Sequence, residues 1–168
     1  MTPLPGLLGN GEIIGWRLDH NRFRSTWDSG EGSFKLGARW NSRGVRAIYA
    51  SIDPSTAILE VAVHKGFRTL DTVPHVLTSF EIREPSTIHV VDIGDIPNAN
   101  WLRPGIPSAG QQHFGDALLA TYMFVLIPST VSHHSWNLVF DPARASGLYT
   151  LRSQEDFALD TRLHPPTP

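Results

Sequence analysis

Val45-Arg46-Ala47-Ile48-Tyr49-Ala50-Ser51-Ile52-Asp53-Pro54-Ser55-Thr56-Ala57-Ile58-Leu59-Glu60 runs from a strand into a helix, and the fold class follows from what surrounds that junction. Residues 45–51 read as a strand. Asp53 is placed to cap a helix and Pro54 to occupy its first position, where a missing N–H costs nothing. Gly66, after Lys65, supplies a C-terminal stop. Upstream, Arg39-Trp40-Asn41 enters a turn at Ser42-Arg43-Gly44, which predicts a hairpin-like unit with residues 45–51.

Working outward, residues 12–18 predict a first strand and residues 19–35 a long polar, glycine-containing loop or lid. Residues 76–82 and 88–91 read as strands joined at Glu84-Pro85-Ser86. Residues 92–114 carry Pro97, Pro104, Gly105, Pro107 and Gly110 and read as irregular connection. A short helix is predicted at 116–121, an apolar strand at 122–127, and weaker strands at 138–140 and 148–151. Many strands with one or two helices and no βαβ alternation give an α+β fold. A single domain over 1–168 is expected, with an ordered core of about 11–163 between a loose lead-in and a disordered tail.

Composition excludes several classes. The formal net charge is −2, without a dense run of Lys or Arg, which argues against direct nucleic-acid binding. The chain has no cysteine, so thiolate and disulfide chemistry are absent. The first residues lack a basic n-region and a long apolar h-region, and the longest apolar tract, about 117–127, is too short to span a bilayer. A cytoplasmic protein without membrane attachment is expected. His133-His134 is an adjacent pair whose members point apart, and H-E-x-x-H is missing, so no metal is expected. The G-x-G-x-x-G, G-x-x-x-x-G-K-[ST] and G-x-S-x-G patterns are also absent.

Arg39, Tyr49 and Glu60 follow one another within 22 residues. An arginine can grip a pyrophosphate in two-point fashion, an aromatic ring can stack on a flat leaving group, and a carboxylate can stabilise a cationic sugar. Those are the tasks in breaking the glycosidic bond of a dinucleotide such as NAD+. Each residue also has an ordinary alternative. Arg39 could be a surface cation in a strand pair and Tyr49 a core residue with a satisfied hydroxyl. Thr56, Glu60 and His64 fall at i, i+4 and i+8, the spacing of a solvent-facing stripe.

Gly37-x-Arg39-Trp40-Asn41-x-x-Gly44, Tyr49 and Glu60 resemble the signature of the RES-domain toxins. Val125-Leu126-Ile127-Pro128-Ser129-x-Val131, followed by Asn137 and Asp141-Pro142, resembles that family's second block. The resemblance runs from about Trp16 to about Leu163. It implies a fold like the ADP-ribosyltransferases, a split and mostly antiparallel sheet with a cleft between its halves. It implies NAD+ as substrate, no prosthetic group, and a helix-turn-helix, Xre-like antitoxin as partner. Glu60, Arg39 and Tyr49 would be catalytic; Arg17, Arg39, Tyr49, Ser129 and Asn137 would bind the dinucleotide. Ser129 and Asn137 could equally be turn residues. The expected activity is NAD+ depletion by glycohydrolysis or phosphorolysis. Protein ADP-ribosylation, or a noncatalytic nucleotide- or partner-binding module, are the alternatives. A homodimer and a toxin–antitoxin hetero-oligomer both stay open. Two departures from the family pattern fall in the second block: Arg144 follows Asp141-Pro142 where relatives often have Asn-Pro and then His, and His133, His134 and Ser135 replace an acidic residue before the asparagine.

Overall fold

The protein is described by a computed structural model that covers residues 13–163 apart from Pro104 and Ile106; the lead-in and the tail fall outside the described residues. Seven strands form one sheet among them: β1 (Ile13–His20), β2 (Ile48–Ser51), β3 (His75–Ile82), β4 (Ile88–Val90), β5 (Phe124–Pro128), β6 (Trp136–Phe140) and β7 (Tyr149–Phe157). Four α-helices accompany them: α1 (Glu31–Leu36), α2 (Pro54–Lys65), α3 (Phe67–Thr72) and α4 (Ala109–Thr121). The strand order is β4-β5-β6-β2-β1-β3-β7. Only β4 and β5 run parallel.

The sheet is split between β1 and β2. Those strands meet in register at one pair, Trp16 with Ser51, whereas β1 and β3 are paired over eight residues. One half is β4-β5-β6-β2 and the other is β1-β3-β7, which is the expected α+β architecture. β2 is held instead on its other edge, where all four of its residues pair with β6.

Strand alternation sorts the side chains to two faces. One face carries Ile48, Phe80, Phe124, Leu126, Leu138 and Phe140 in the largest core cluster. The other carries Val125, Ile127 and Val139, packed with Trp40, Trp101 and Leu119, and against these lies Tyr49. Helix α2 covers the adjoining part of that second face through Ala62, which packs with Leu18, Leu70 and Leu159.

The cap of α2 is as the sequence predicts: the Asp53 carboxylate accepts from the Thr56 amide at 2.8 Å. Gly66, at φ 79°, returns its N–H to the Ala62 carbonyl and ends the helix. Three expectations change. The 19–35 segment is not a loop but a 3-10 turn at Asn21–Thr26 followed by α1. The hairpin at 39–51 does not form, because Ala38 and Asn41 make only an isolated bridge and β2 begins at Ile48. Buried Asn41 takes over the ladder's role there, donating from Nδ2 to the carbonyls of Ser33, Ser42 and Val45. Helix α4 begins at Ala109, not at Asp116, because Ser108 caps it by accepting from the Gln111 amide at 3.2 Å. The helices therefore outnumber the one or two expected.

Candidate active site

Glu60 lies at the centre of the polar cluster. It sits on α2 and is half-buried. Its Oε1 accepts from Asn137 Nδ2 at 2.5 Å and from Ser129 Oγ at 3.0 Å. Asn137 belongs to β6 and Ser129 follows directly after β5, so two neighbouring strands deliver donors to one carboxylate oxygen. No hydrogen bond is made to Oε2 among the described residues. Ionised carboxylates accept strong hydrogen bonds, and two of them on one oxygen fix the direction of the other.

The solvent-stripe alternative for Glu60 fails on exposure. Thr56 is buried, Glu60 is half-buried, and only His64 is exposed. The outward positions of α2 instead carry Ser55, Leu59 and Val63, with Val63 61% exposed. The helix turns Thr56 and Glu60 toward the sheet together with Ala57 and Ala62, and leaves Leu59 and Val63 exposed beside Ser55 and His64.

Ser129 is fully buried and is itself held in place. Its Oγ accepts from the amides of Val131 and Ser132 at 3.2 and 3.1 Å, which leaves the hydroxyl proton for Glu60. The same β5–β6 loop is tied to α2 again by Ser135, whose Oγ donates to Asp53. Burial alone would raise the Asp53 pKa, but the bonds from Ser135 and Thr56 outweigh it and hold the carboxyl below its usual value. Asn137 also contacts Ser51, whose Oγ donates to Asn137 Oδ1 at 3.0 Å. Sequence reasoning missed Ser51. The only available signal was a hydroxyl between Ala50 and Ile52 in an otherwise apolar strand end.

Tyr49 is two residues before Ser51 and so shares its face. Its ring packs beside the Trp40 cluster, and its hydroxyl donates to Asn41 Oδ1 at 2.7 Å while accepting from the Trp40 amide at 3.1 Å. Burial pushes its pKa upward, so it is a neutral donor that shapes the 39–41 segment.

Arg39 is half-buried, and its Nη1 donates to the carbonyls of Trp101 at 2.9 Å and Arg103 at 3.4 Å. The structure thus places Arg39 against the 101–103 segment, without a hydrogen bond to Glu60. Arg17 is engaged more fully. Its Nε and Nη2 donate to Asp19 at 2.6 and 2.7 Å, and its Nη1 to the Tyr49 carbonyl at 2.7 Å. It therefore bridges β1 to β2 across the split where backbone pairing is sparse. By alternation it lies on the face opposite Trp16. Of the six residues singled out in the sequence, Glu60 is hydrogen-bonded to both Ser129 and Asn137, while Arg39, Tyr49 and Arg17 make their hydrogen bonds elsewhere.

In the second block, the Asp141 side chain accepts from the Ala143 amide at 2.8 Å and shapes the turn after β6. Exposed Arg144 reaches the Thr121 carbonyl at 3.5 Å. Among the described residues no group of three or more His, Cys, Asp or Glu is arranged to hold a metal ion, and no helix is long and apolar enough to cross a membrane.

The profile of the RES domain matches residues 14–160. The chain belongs to the RES domain family. Among related sequences, Toxin Res of Photorhabdus laumondii is 30% identical over 156 residues, covering 90% of this chain and 97% of that one. Toxin Res of Yersinia enterocolitica is 35% identical over 144 residues, covering 83% and 91%. The Prs ADP-ribosylating toxin of Sphingobium is 28% identical over 139 residues, covering 76% and 81%. In three dimensions this RES domain is similar to a chain of the MbcT–MbcA toxin–antitoxin complex of M. tuberculosis, with a TM-score of 0.62, 20% identity, and coverage of 88% and 85%. That likeness concerns the fold. The matched segment holds Arg17, Arg39, Tyr49, Glu60, Ser129 and Asn137 together, so the family assignment and the polar cluster concern the same part of the chain.

Proposed function

We propose that this RES domain is the toxin of a toxin–antitoxin pair and depletes NAD+ by cleaving the bond between nicotinamide and ribose. The observation that carries the reading is the Glu60 carboxylate, held on one oxygen by Ser129 and Asn137 with its other oxygen directed elsewhere. A carboxylate so fixed hydrogen-bonds a ribose hydroxyl through Oε2 and stabilises the positive charge that grows on the ribose as nicotinamide leaves. Nicotinamide departs as a neutral ring and takes the bonding electrons, so the leaving group needs no proton. Tyr49 lines the nicotinamide side through its ring. Arg39 reaches the pyrophosphate by exchanging the Trp101 and Arg103 carbonyls for phosphate oxygens, a stronger, charge-assisted contact. Arg17 supports the adjacent ribose side by holding β1 against β2. Water or phosphate then accepts the ADP-ribose at its anomeric carbon.

The relatives named Toxin Res and the fold shared with a toxin from an antitoxin complex support the biological half of this reading. A helix-turn-helix, Xre-like antitoxin fits a toxin that lacks the basic surface for binding an operator itself. A second reading, protein ADP-ribosylation, is favoured by the Sphingobium relative and differs only in the acceptor.

The test is incubation of the purified protein with NAD+, with products identified by mass. Nicotinamide with ADP-ribose, or with ADP-ribose phosphate when phosphate is present, is expected without any added protein. Nicotinamide release only when a protein acceptor gains the ADP-ribosyl mass would favour the second reading. Intact NAD+ under both conditions would leave a noncatalytic binding module.

A further inference from the structure

We propose that Ser51 is a positioning residue, one that fixes the orientation of the Asn137 amide so that Asn137 can hold Glu60. As a statement about catalysis, it rests on the proposed NAD+ cleavage. The observations are local and independent of the family. Ser51 ends β2 and lies directly opposite Asn137 of β6 in the strand register. It is 2% exposed. Its Oγ is 3.0 Å from Asn137 Oδ1, and Asn137 Nδ2 is 2.5 Å from Glu60 Oε1.

The polarity of this chain has one consistent solution. An ionised carboxylate only accepts, so the Asn137 group facing Glu60 must be the NH2 end. Its oxygen then faces Ser51, and the hydroxyl must donate. Without that donor the half-buried amide oxygen loses its Ser51 partner, and the amide is free to rotate toward another. Glu60 then loses its shorter bond and keeps only Ser129. Ser51 touches Glu60 only through Asn137, so its effect should fall on turnover more than on binding.

The experiment compares Ser51→Ala with the matched pair Ser51→Thr and Ser51→Val, which have nearly the same shape and differ by the hydroxyl. Two readouts are taken on folded protein: the NMR signals and exchange rates of the Asn137 side-chain amide protons, and steady-state NAD+ cleavage. Ser51→Thr should keep the slowly exchanging amide of the wild type, while Ser51→Ala and Ser51→Val should lose it. The two hydroxyl-free variants should lose kcat on the order of tenfold, the worth of one hydrogen bond of about 1.4 kcal/mol, with KM little changed and with rescue in Ser51→Thr. An Asn137 amide unaltered in Ser51→Val relative to Ser51→Thr overturns the proposal, even if Ser51→Ala fails to fold. Equal kcat in that pair overturns it as well. If the wild type cleaves no NAD+, the catalytic reading fails separately, and the amide signals still decide whether Ser51 orients Asn137.

Discussion

Glu60 carries one negative charge, and its surroundings decide what that charge can do. Ser129 and Asn137 satisfy one oxygen only. Glu60→Gln keeps the volume and removes the charge: its amide oxygen still accepts from Asn137 and Ser129, and its NH2 replaces Oε2, a donor where the proposed mechanism needs an acceptor. NAD+ turnover should fall on the order of a hundredfold or more, with circular dichroism and the thermal transition close to wild type. Near-normal turnover by the folded variant would remove Glu60 from the mechanism. At this scale the order Arg39, Tyr49, Glu60 was readable in the chain, and so were Ser129 and Asn137. What each side chain bonds to was not. Ser129 and Asn137 were expected to meet the substrate or form turns, yet both donate to Glu60, because residues 69 and 77 positions away meet only when β5 and β6 fold beside α2. The pairing of Arg17 with Asp19, two residues along the same strand, was likewise not readable from the sequence.

Among the elements, α4 shows how closely the backbones pack behind the site. A Cβ added at Gly115 would sit 1.9 Å from the Trp40 carbonyl oxygen, next to the Arg39–Asn41 segment. Neither backbone can yield without moving α4. Gly115→Ala should therefore destabilise by about 1–3 kcal/mol or more, read as a lower urea midpoint, and should weaken activity through the Arg39 segment. An unchanged midpoint would mean that α4 and the Trp40 segment are not in this contact. The strands were largely legible because they are short apolar runs bounded by turn residues, and α2 because Asp53-Pro54 and Gly66 mark both its ends. Helices α1 and α3 were missed for the same reason: each is six residues long, too short to display a helical period. On α2 the period alone leaves Glu60 between a solvent stripe and a site, because Thr56 and Glu60 repeat at helical spacing in either case. Thr56 and Glu60 face inward although they are polar, so on this helix polarity does not mark the solvent side.

At the scale of the whole molecule, acid stability should depend on a residue remote from the cleft. His75 opens β3, stands opposite His20 in the register, and is 2% exposed. Its Nδ1 donates to the Val73 carbonyl at 2.6 Å, and its buried Nε2 has no hydrogen-bond partner among the described residues. Burial pushes its pKa below the ordinary 6.5, with Lys65 and His20 adding to the shift against the opposing pull of the Val73 bond and Asp19. The neutral ring is thus the folded form. As pH falls below 6.5, the unfolded chain takes up a proton that the folded chain resists, so stability drops until the folded ring also protonates. The urea midpoint should be lower below pH 6.5 than above it, and His75→Asn, which can still donate to Val73, should flatten that dependence. An identical slope in His75→Asn would assign the effect to other groups.

The chain passes between the two halves of the sheet four times, since β1, β3 and β7 lie on one side of the split and β2, β4, β5 and β6 on the other. On the ribosome this ordering imposes a delay. Glu60 is synthesised 77 residues before Asn137. At roughly 5–20 residues per second that interval is about 4–15 s, during which the carboxylate has emerged or is emerging without either of its donors. A nascent chain therefore lacks the assembled cluster until Asn137 has been made and β6 has paired. The producing cell meets a finished site only after β6 has left the ribosome.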